Sequence, residues 1–274
     1  MAEGKWIDDL DAGTPLDDAA RHVLTVRLEV VRDHLAPALH EADKDPEHVH
    51  QLRVATRRAG AAVDLFAGCL PDKAYNRARK ALRKVRRAAG AARDWDVFLL
   101  GLAEWPARGE AQRPGLDFLA GYATGQRLAA QDHLRAVCAD QPFAFDRLRA
   151  ETVAAVHAPH DADGETLLDL ARPLLAERLR ALDEAAAQDL GDYDNLHQVR
   201  IAGKRLRYAM EVFASCFAPA FKEELYPAVE EMQEILGNAN DSHVAAGRLE
   251  ALRARLRLAR PDGGKRFRPG LDAL

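Results

Sequence analysis

His50-Gln51-Leu52-Arg53-Val54-Ala55-Thr56-Arg57-Arg58 returns 147 residues later as His197-Gln198-Val199-Arg200-Ile201-Ala202-Gly203-Lys204-Arg205. The correspondence runs on without a gap. Ala62 falls on Ala209, Phe66 on Phe213 and Cys69 on Cys216, and Gly90, Ala92, Asp94 and Val97 fall on Gly237, Ala239, Asp241 and Val244. One offset covers 48 positions, 50–97 against 197–244. Chance rarely holds register that long, so the chain reads as an internal duplication. Both copies keep a histidine and three cations as well as apolar spacing, and that set points to a bound anion.

Within the first copy, Val49, Leu52, Thr56, Ala59, Val63 and Phe66 step by three and four. This is the seam of a packed helix, with small residues in its middle. Beside it runs a stripe of His50, Arg53, Arg57, Gly60 and Asp64. The second copy repeats the seam as Leu196, Val199, Gly203, Leu206, Met210 and Phe213, and the stripe as His197, Arg200, Lys204, Arg207 and Glu211. Arg58 and Arg205 lie to the side. Like charges one turn apart repel by a few tenths of a kcal/mol per pair. Here a carboxylate enters each stripe only at its far end, so an anion is expected over the first three turns. A solvated face with arginine stems lying along it is the plain alternative, and the repetition argues against it. Each histidine can donate to an anion oxygen, more strongly when protonated.

Outward from the motif, helices are expected over 16–43, 47–68, 73–89, 94–105, 114–139 and 142–157, then over 165–190, 195–217, 221–236 and 241–260. Gly90 and Gly237 are read as helix ends, with Asp94 and Asp241 capping the helices that follow and Val97 and Val244 entering the core. Orientation of the site cations by these aspartates is the other reading. No segment sustains period-two alternation, so the expected class is all-α. The boundaries read as an N-terminal tail 1–15, a domain 16–260 in repeat halves 16–157 and 164–260, and a basic C-terminal tail 261–274. The second half has no counterpart to the helices after Pro114.

The 274 residues carry a net charge of −4 and 6% aromatics. A general basic coat is absent, but the charge is segregated. Lys73 to Arg93 holds nine Lys and Arg and no Asp or Glu, and Arg248 to Arg268 holds eight against two. The expected third helix therefore presents Arg79, Lys80, Arg83, Arg86 and Arg87 opposite a narrow apolar face. Its counterpart carries Glu223, Glu224, Glu230, Glu231 and Glu234 instead. No apolar run reaches the roughly 20 residues of a membrane helix, and the N-terminus has no signal-peptide core. Three cysteines without framework spacing suggest a reducing compartment. Cys69 and Cys216 read as small buried hydrophobes.

These residues resemble the CHAD family, the conserved histidine α-helical domain. The His-x-x-Arg-Val-Ala-x-Arg-Arg run from His50, followed by Gly90-x-x-Arg93-Asp94-x-Asp96-Val97, is similar to the first family repeat. The run Leu196 to Tyr208, followed by Leu236-Gly237-x-x-Asn240-Asp241-x-His243-Val244, is similar to the second. The resemblance covers roughly residues 16–260. It implies two pseudo-symmetric antiparallel helical bundles around a basic central cavity, and binding of inorganic polyphosphate rather than catalysis. It also implies a cytoplasmic protein, associated in some members with polyphosphate granules. Family domains often follow a triphosphate-processing domain, for which this chain has no room. Ala59-Gly60 stands where the second copy has Leu206-Arg207, which removes one stripe cation, and the C-terminal end is short for the family.

The expected polyphosphate-binding residues are therefore His50, Arg53, Arg57, Arg58, Arg79, Lys80, Arg83 and Arg87, with His197, Arg200, Lys204, Arg205 and Arg207. No catalytic residue, metal, cofactor or membrane partner is expected. Arg58 and Arg205 are kept because both copies retain them, with pairing to carboxylates as their alternative. A nucleic-acid-binding module is the first rival, on the strength of the 77–93 helix and Lys265-Arg266-Phe267-Arg268. Against it, single-strand binders stack bases on aromatics, and Tyr208 is the one aromatic beside the stripes. A metal-dependent phosphohydrolase is the second, on His48-x-His50, His157-x-x-His160, Asp94-x-Asp96 and Asp241-x-His243. None of these has metal-site spacing with an evident third ligand. A helical scaffold with incidental charge is the third.

Overall fold

The computed structural model describes residues 5–104, 113–139, 141–158 and 164–259. Among them the chain is all-α and has no strand. The helices are α1 (Leu16–His40), α2 (Glu47–Leu65), α3 (Asp72–Ala103), α4 (Arg113–Cys138), α5 (Gln141–Ala154), α6 (Leu167–Ala186), α7 (Tyr193–Phe213) and α8 (Tyr226–Ala259). The expected C-terminal tail, the end of the expected 241–260 helix and His160 lie outside the described residues.

The 147-residue offset reappears in the elements. α2 is followed by a 3-10 turn at Ala67–Cys69, and α7 by one at Ala214–Cys216. α1 stands to α2 as α6 stands to α7, with consecutive helices packed side by side. The two sets meet where α2 lies against α7 and α1 against α6. The helix starts are also tied together. Leu16 donates its N–H to the Glu165 carbonyl (3.0 Å) and Leu167 to that of Thr14 (2.9 Å). Asp169 accepts from the backbone N–H (3.0 Å) and hydroxyl (2.7 Å) of Thr166 and so caps α6.

The α2 seam forms as its spacing requires. Val49, Leu52, Thr56, Ala59, Val63 and Phe66 are all buried. On α7, Val199, Gly203, Leu206, Met210 and Phe213 are buried as well. A main core joins α1, α2, α3 and parts of α4, α5 and α6, while a smaller one holds Leu182, Val199, Leu206, Met210 and Tyr226. The stretch before α1 is held down too. Ile7 is buried, Trp6 meets Tyr226 edge-on at 4.6 Å, and Lys5 pairs with Glu230 at 3.0 Å.

Two expectations are corrected. Gly90 and Gly237 do not end helices, for α3 runs unbroken through Gly90 and α8 through Gly237. Asp94 and Asp241 consequently lie inside helices and cap nothing. An interior glycine costs only about 1 kcal/mol, and the packing of α3 on α2 and α4 outweighs it. The Val97–Val244 pair also diverges. Val97 is half-buried, but Val244 is exposed, because α8 has no described helix in the place that α4 takes beside α3. Cys69 is buried as expected and Cys216 half-buried.

The far end of α8 returns to the first half. Leu249 and Leu252 pack with Leu119, flanked by Phe98, Leu102, Phe118 and Tyr122. Helices on either side of residues 159–163 thus meet at α2–α7, at α1–α6 and again where α8 reaches Leu119 of α4.

Candidate functional site

The stripes of α2 and α7 converge. Arg57 lies in the field of Arg53, Arg207 and Arg200, and Lys204 in that of Arg200, Arg57, Arg53 and Arg207. The seam places these side chains there. Once Leu52, Ala59, Val199 and Leu206 face their cores, the neighbouring helical row has to line the junction between α2 and α7.

The electrostatic cost is written in the titration of the cluster. Burial first, and then the cations Arg200, Arg57, Arg53 and Arg207, push Lys204 down to about 7. Burial also lowers Arg57, Arg200 and Arg86. His50 is lowered by burial and then by Arg93. Among the described residues, Arg57, Arg83, Arg86, Arg200 and Lys204 form no ion pair with a carboxylate. The buried Nε atoms of Arg57, Arg200 and Arg207 and Nδ1 of His197 have no hydrogen-bond partner. Donors buried without acceptors are destabilising by roughly 1–3 kcal/mol each. A folded protein keeps such a set where an external acceptor supplies what its own chain does not.

A cleft of about 590 Å³ opens onto this cluster. Arg57, Gly60 and Asp64 of α2 line it, with Arg79, Arg83 and Arg86 of α3, Lys204, Arg205 and Tyr208 of α7, and Arg178 of α6. Asp64 is the one carboxylate among the described lining residues, and it is engaged. It accepts from the Tyr75 hydroxyl at 2.9 Å and pairs with Arg79 at 3.0 Å.

The remaining expected ligands fall elsewhere. Arg53 lies beyond the cleft, across the buried Gly90, and donates to Asp94 at 2.9 Å. Asp94 also holds Arg248, whose guanidinium covers the Trp95 ring at 4.5 Å and donates to the Asp94 carbonyl at 2.6 Å. Asp94 therefore orients cations at the returning end of α8. Arg207 is half-buried, 3.6 Å from Glu230. Desolvation is the largest single influence and lowers it, but Tyr208, Glu211 and Tyr226 together raise it. His50 and His197 are half-buried at the N-terminal ends of the stripes, outside the cleft. Lys80 and Arg87 are exposed and outside it as well, since they lie on a different row of α3 from Arg79, Arg83 and Arg86.

Arg58 is placed in the interior instead of the site. It is 6% exposed and donates to both oxygens of Glu211, which is fully buried. Arg27 of α1 stands 3.6 Å from the same carboxylate, and the Tyr226 hydroxyl donates to it at 2.8 Å. Burial lowers Arg27 to about 10. Arg58 is kept because it joins the halves, the alternative that its position beside the stripe left open.

Arg178 and Arg86 are the lining cations that the candidate set lacked. Arg86 was visible in the basic face of its helix. Arg178 has no counterpart in the repeat, where Val31 takes its place, and nothing in the pattern singles it out.

The residues considered as metal ligands are dispersed or engaged. Asp96 is buried against Arg127 at 2.5 Å, and His243 stacks on Tyr193 at 3.4 Å. Among the described residues no group of three or more His, Cys, Asp or Glu is placed to hold a metal ion. No helix among them is long and apolar enough to cross a membrane.

A family model described as CHAD domain matches residues 22–250. The chain is similar to the crystal structure of the CHAD domain from the plant Ricinus communis, with 26% identity and a TM-score of 0.73 over 98% of this chain and 96% of that one. It shares its fold with PptA from Streptomyces chartreusis, with 17% identity and a TM-score of 0.66 over 95% of this chain and 94% of that one. No curated protein matches.

Proposed function

The chain belongs to the CHAD domain family, and from that membership we propose that it binds inorganic polyphosphate, without cleaving it, along the cations of α2, α3 and α7. One observation supports the reading: Arg57, Arg200 and Arg207 bury Nε donors that no acceptor among the described residues meets. A flexible rod of phosphates, each with about one negative charge, matches a row of such donors. Arginine meets phosphate oxygens through paired N–H bonds, and Lys204 adds a point charge.

The ligands on this reading are Arg53, Arg57, Arg200, Lys204 and Arg207, beside His50 and His197. Arg79, Arg83 and Arg86 form the second wall, and Arg178 and Arg205 its opening. The binding unit is the pair of repeat halves within 16–260. Two features favour a bare phosphate backbone over nucleic acid. Among the described lining residues the aromatics are Tyr75 and Tyr208 beside seven cations, and the Tyr75 hydroxyl is held by Asp64. Binding without hydrolysis accords with a lining carboxylate already tied to Tyr75 and Arg79. In a cell, such a protein would accompany polyphosphate where it accumulates, granules included.

The test is a competition titration. Labelled long-chain polyphosphate bound to the protein is challenged with orthophosphate, short polyphosphate and single-stranded DNA at two salt concentrations, and chain length is read on a gel afterwards. The expected result is tight, salt-sensitive binding displaced by polyphosphate alone, with chains intact. Equal displacement by DNA would move the assignment to a nucleic-acid-binding module, and shortened chains to a phosphohydrolase.

A further inference from the structure

Gln233 of α8 is 6% exposed, and among the described residues neither its amide nitrogen nor its amide oxygen has a hydrogen-bond partner. A buried amide left unpaired on both sides is costly. Its surroundings are specific. A Cβ on Gly203 of α7 would stand 2.3 Å from Gln233 Nε2 and 2.7 Å from the Met232 methyl. The amide therefore occupies the space that any side chain at 203 would fill. Gly203 lies three residues after Arg200 and four before Arg207, on the seam row beside the stripe that holds both. Gln233 thus meets α7 at Gly203, at a level between Arg200 and Arg207, whose own buried Nε atoms have no hydrogen-bond partner among the described residues.

The repeat offset sharpens the comparison. Gln233 falls on Arg86 and Gly203 on Thr56, and both first-half residues line the cleft. Where the first half has a cation and a threonine lining the cleft, the second places a neutral amide against a glycine.

We propose that Gln233, framed by Arg200 and Arg207, binds a phosphate group and forms a second, hydrogen-bonding subsite on the α7–α8 side of the cation wall. The proposal rests on the polyphosphate reading and deepens it. The bound chain passes from a charge-dense subsite at Arg57, Arg83 and Arg86, by way of Lys204, to one where an amide N–H supplements two guanidinium groups. The amide contributes affinity without releasing a counterion, so its contribution does not vary with salt.

Gln233→Met tests this, because it keeps the volume and removes both unpaired groups. The substitution is expected to leave the fold at least as stable to denaturant. Affinity for long-chain inorganic polyphosphate is expected to fall about tenfold, as for loss of one hydrogen bond to a charged group, with the slope of log affinity against log salt unchanged. Arg200→Ala, in contrast, is expected to lower both affinity and slope. A folded Gln233→Met protein that binds as tightly as the original overturns the proposal. Gly203→Ala is the independent variant. Its Cβ displaces the amide, and the same slope-preserving loss is expected. Full affinity in that variant also overturns the subsite. Absence of polyphosphate binding by the unaltered chain would overturn the polyphosphate reading itself, and is distinguishable from a loss confined to the variants.

Discussion

Arg58 on α2 and Glu211 on α7, 153 residues apart in sequence, form a buried two-point ion pair, Nε to Oε2 at 2.7 Å and Nη2 to Oε1 at 3.2 Å. With Arg27 and Tyr226 on the same carboxylate, one acidic side chain gathers α1, α2, α7 and α8. Removing the charge of Glu211 leaves Arg58 buried without its counter-charge. Breaking a buried pair in this way costs about 3–5 kcal/mol. Glu211→Gln is therefore expected to lower the denaturant midpoint sharply. An unfolding free energy within about 0.5 kcal/mol of the original would show that the pair does not hold these helices together.

The cation cluster makes binding depend on pH. Lys204 is held near 7 in the folded protein, below its ordinary value of 10.5. The unfolded chain therefore keeps this proton between about pH 7 and 10.5, where the folded one has released it. This residue's contribution to stability thus rises with pH across that window, and its penalty is largest below pH 7. A polyanion restores the proton, so binding above pH 7 takes one up, and affinity is expected to weaken as pH rises from 7 to about 9. In Lys204→Arg this weakening should be absent, since the guanidinium stays charged. An unchanged pH profile in the arginine variant would assign the dependence to another group.

The same residue should trade stability for binding. Lys204→Met removes a half-buried cation that forms no ion pair among the described residues. It is expected to stabilise the free protein by about 1 kcal/mol, more at pH 6 than at pH 9, and to weaken polyphosphate binding. Thermal unfolding with and without polyphosphate reads both effects. A variant that is less stable at pH 6 would contradict the account of Lys204.

On α3, neighbours of like charge should differ. Arg83 lines the cleft, whereas Lys80 and Arg87 do not. Arg83→Ala is expected to weaken binding and to reduce the salt slope by about 0.7, the value for one phosphate contact on a single strand. Lys80→Ala and Arg87→Ala should leave the slope unchanged. Equal effects from all three would mean that the ligand follows the general field of the helix and not the cleft.

How much was legible can be traced to particular residues. The seams and stripes of α2 and α7 were readable because helical period alone assigns Leu52 or Val199 to the core and Arg53 or Arg200 to the row beside it. The repeat offset carried the correspondence of the elements as far as the 3-10 turns at Ala67–Cys69 and Ala214–Cys216. Gly90 reads as a helix end on local propensity of about 1 kcal/mol, and the tertiary packing of α3 overrides it. The fate of the stripe carboxylates was hidden for a related reason. Asp64 and Glu211 are equivalent by offset, yet one faces the cleft and the other is sealed between halves, a difference made by Arg27 and Tyr226 on other helices. Arg178 reaches the cleft from α6 without any motif to announce it.

The most direct test of the cation wall is the affinity of Arg53→Glu combined with Arg200→Glu for long-chain polyphosphate, measured at low salt beside the unaltered protein, with helicity checked by circular dichroism. Two facing charge reversals are expected to abolish binding while the helical signal and cooperative unfolding persist. Unchanged affinity in the folded double variant would contradict the wall as the binding site.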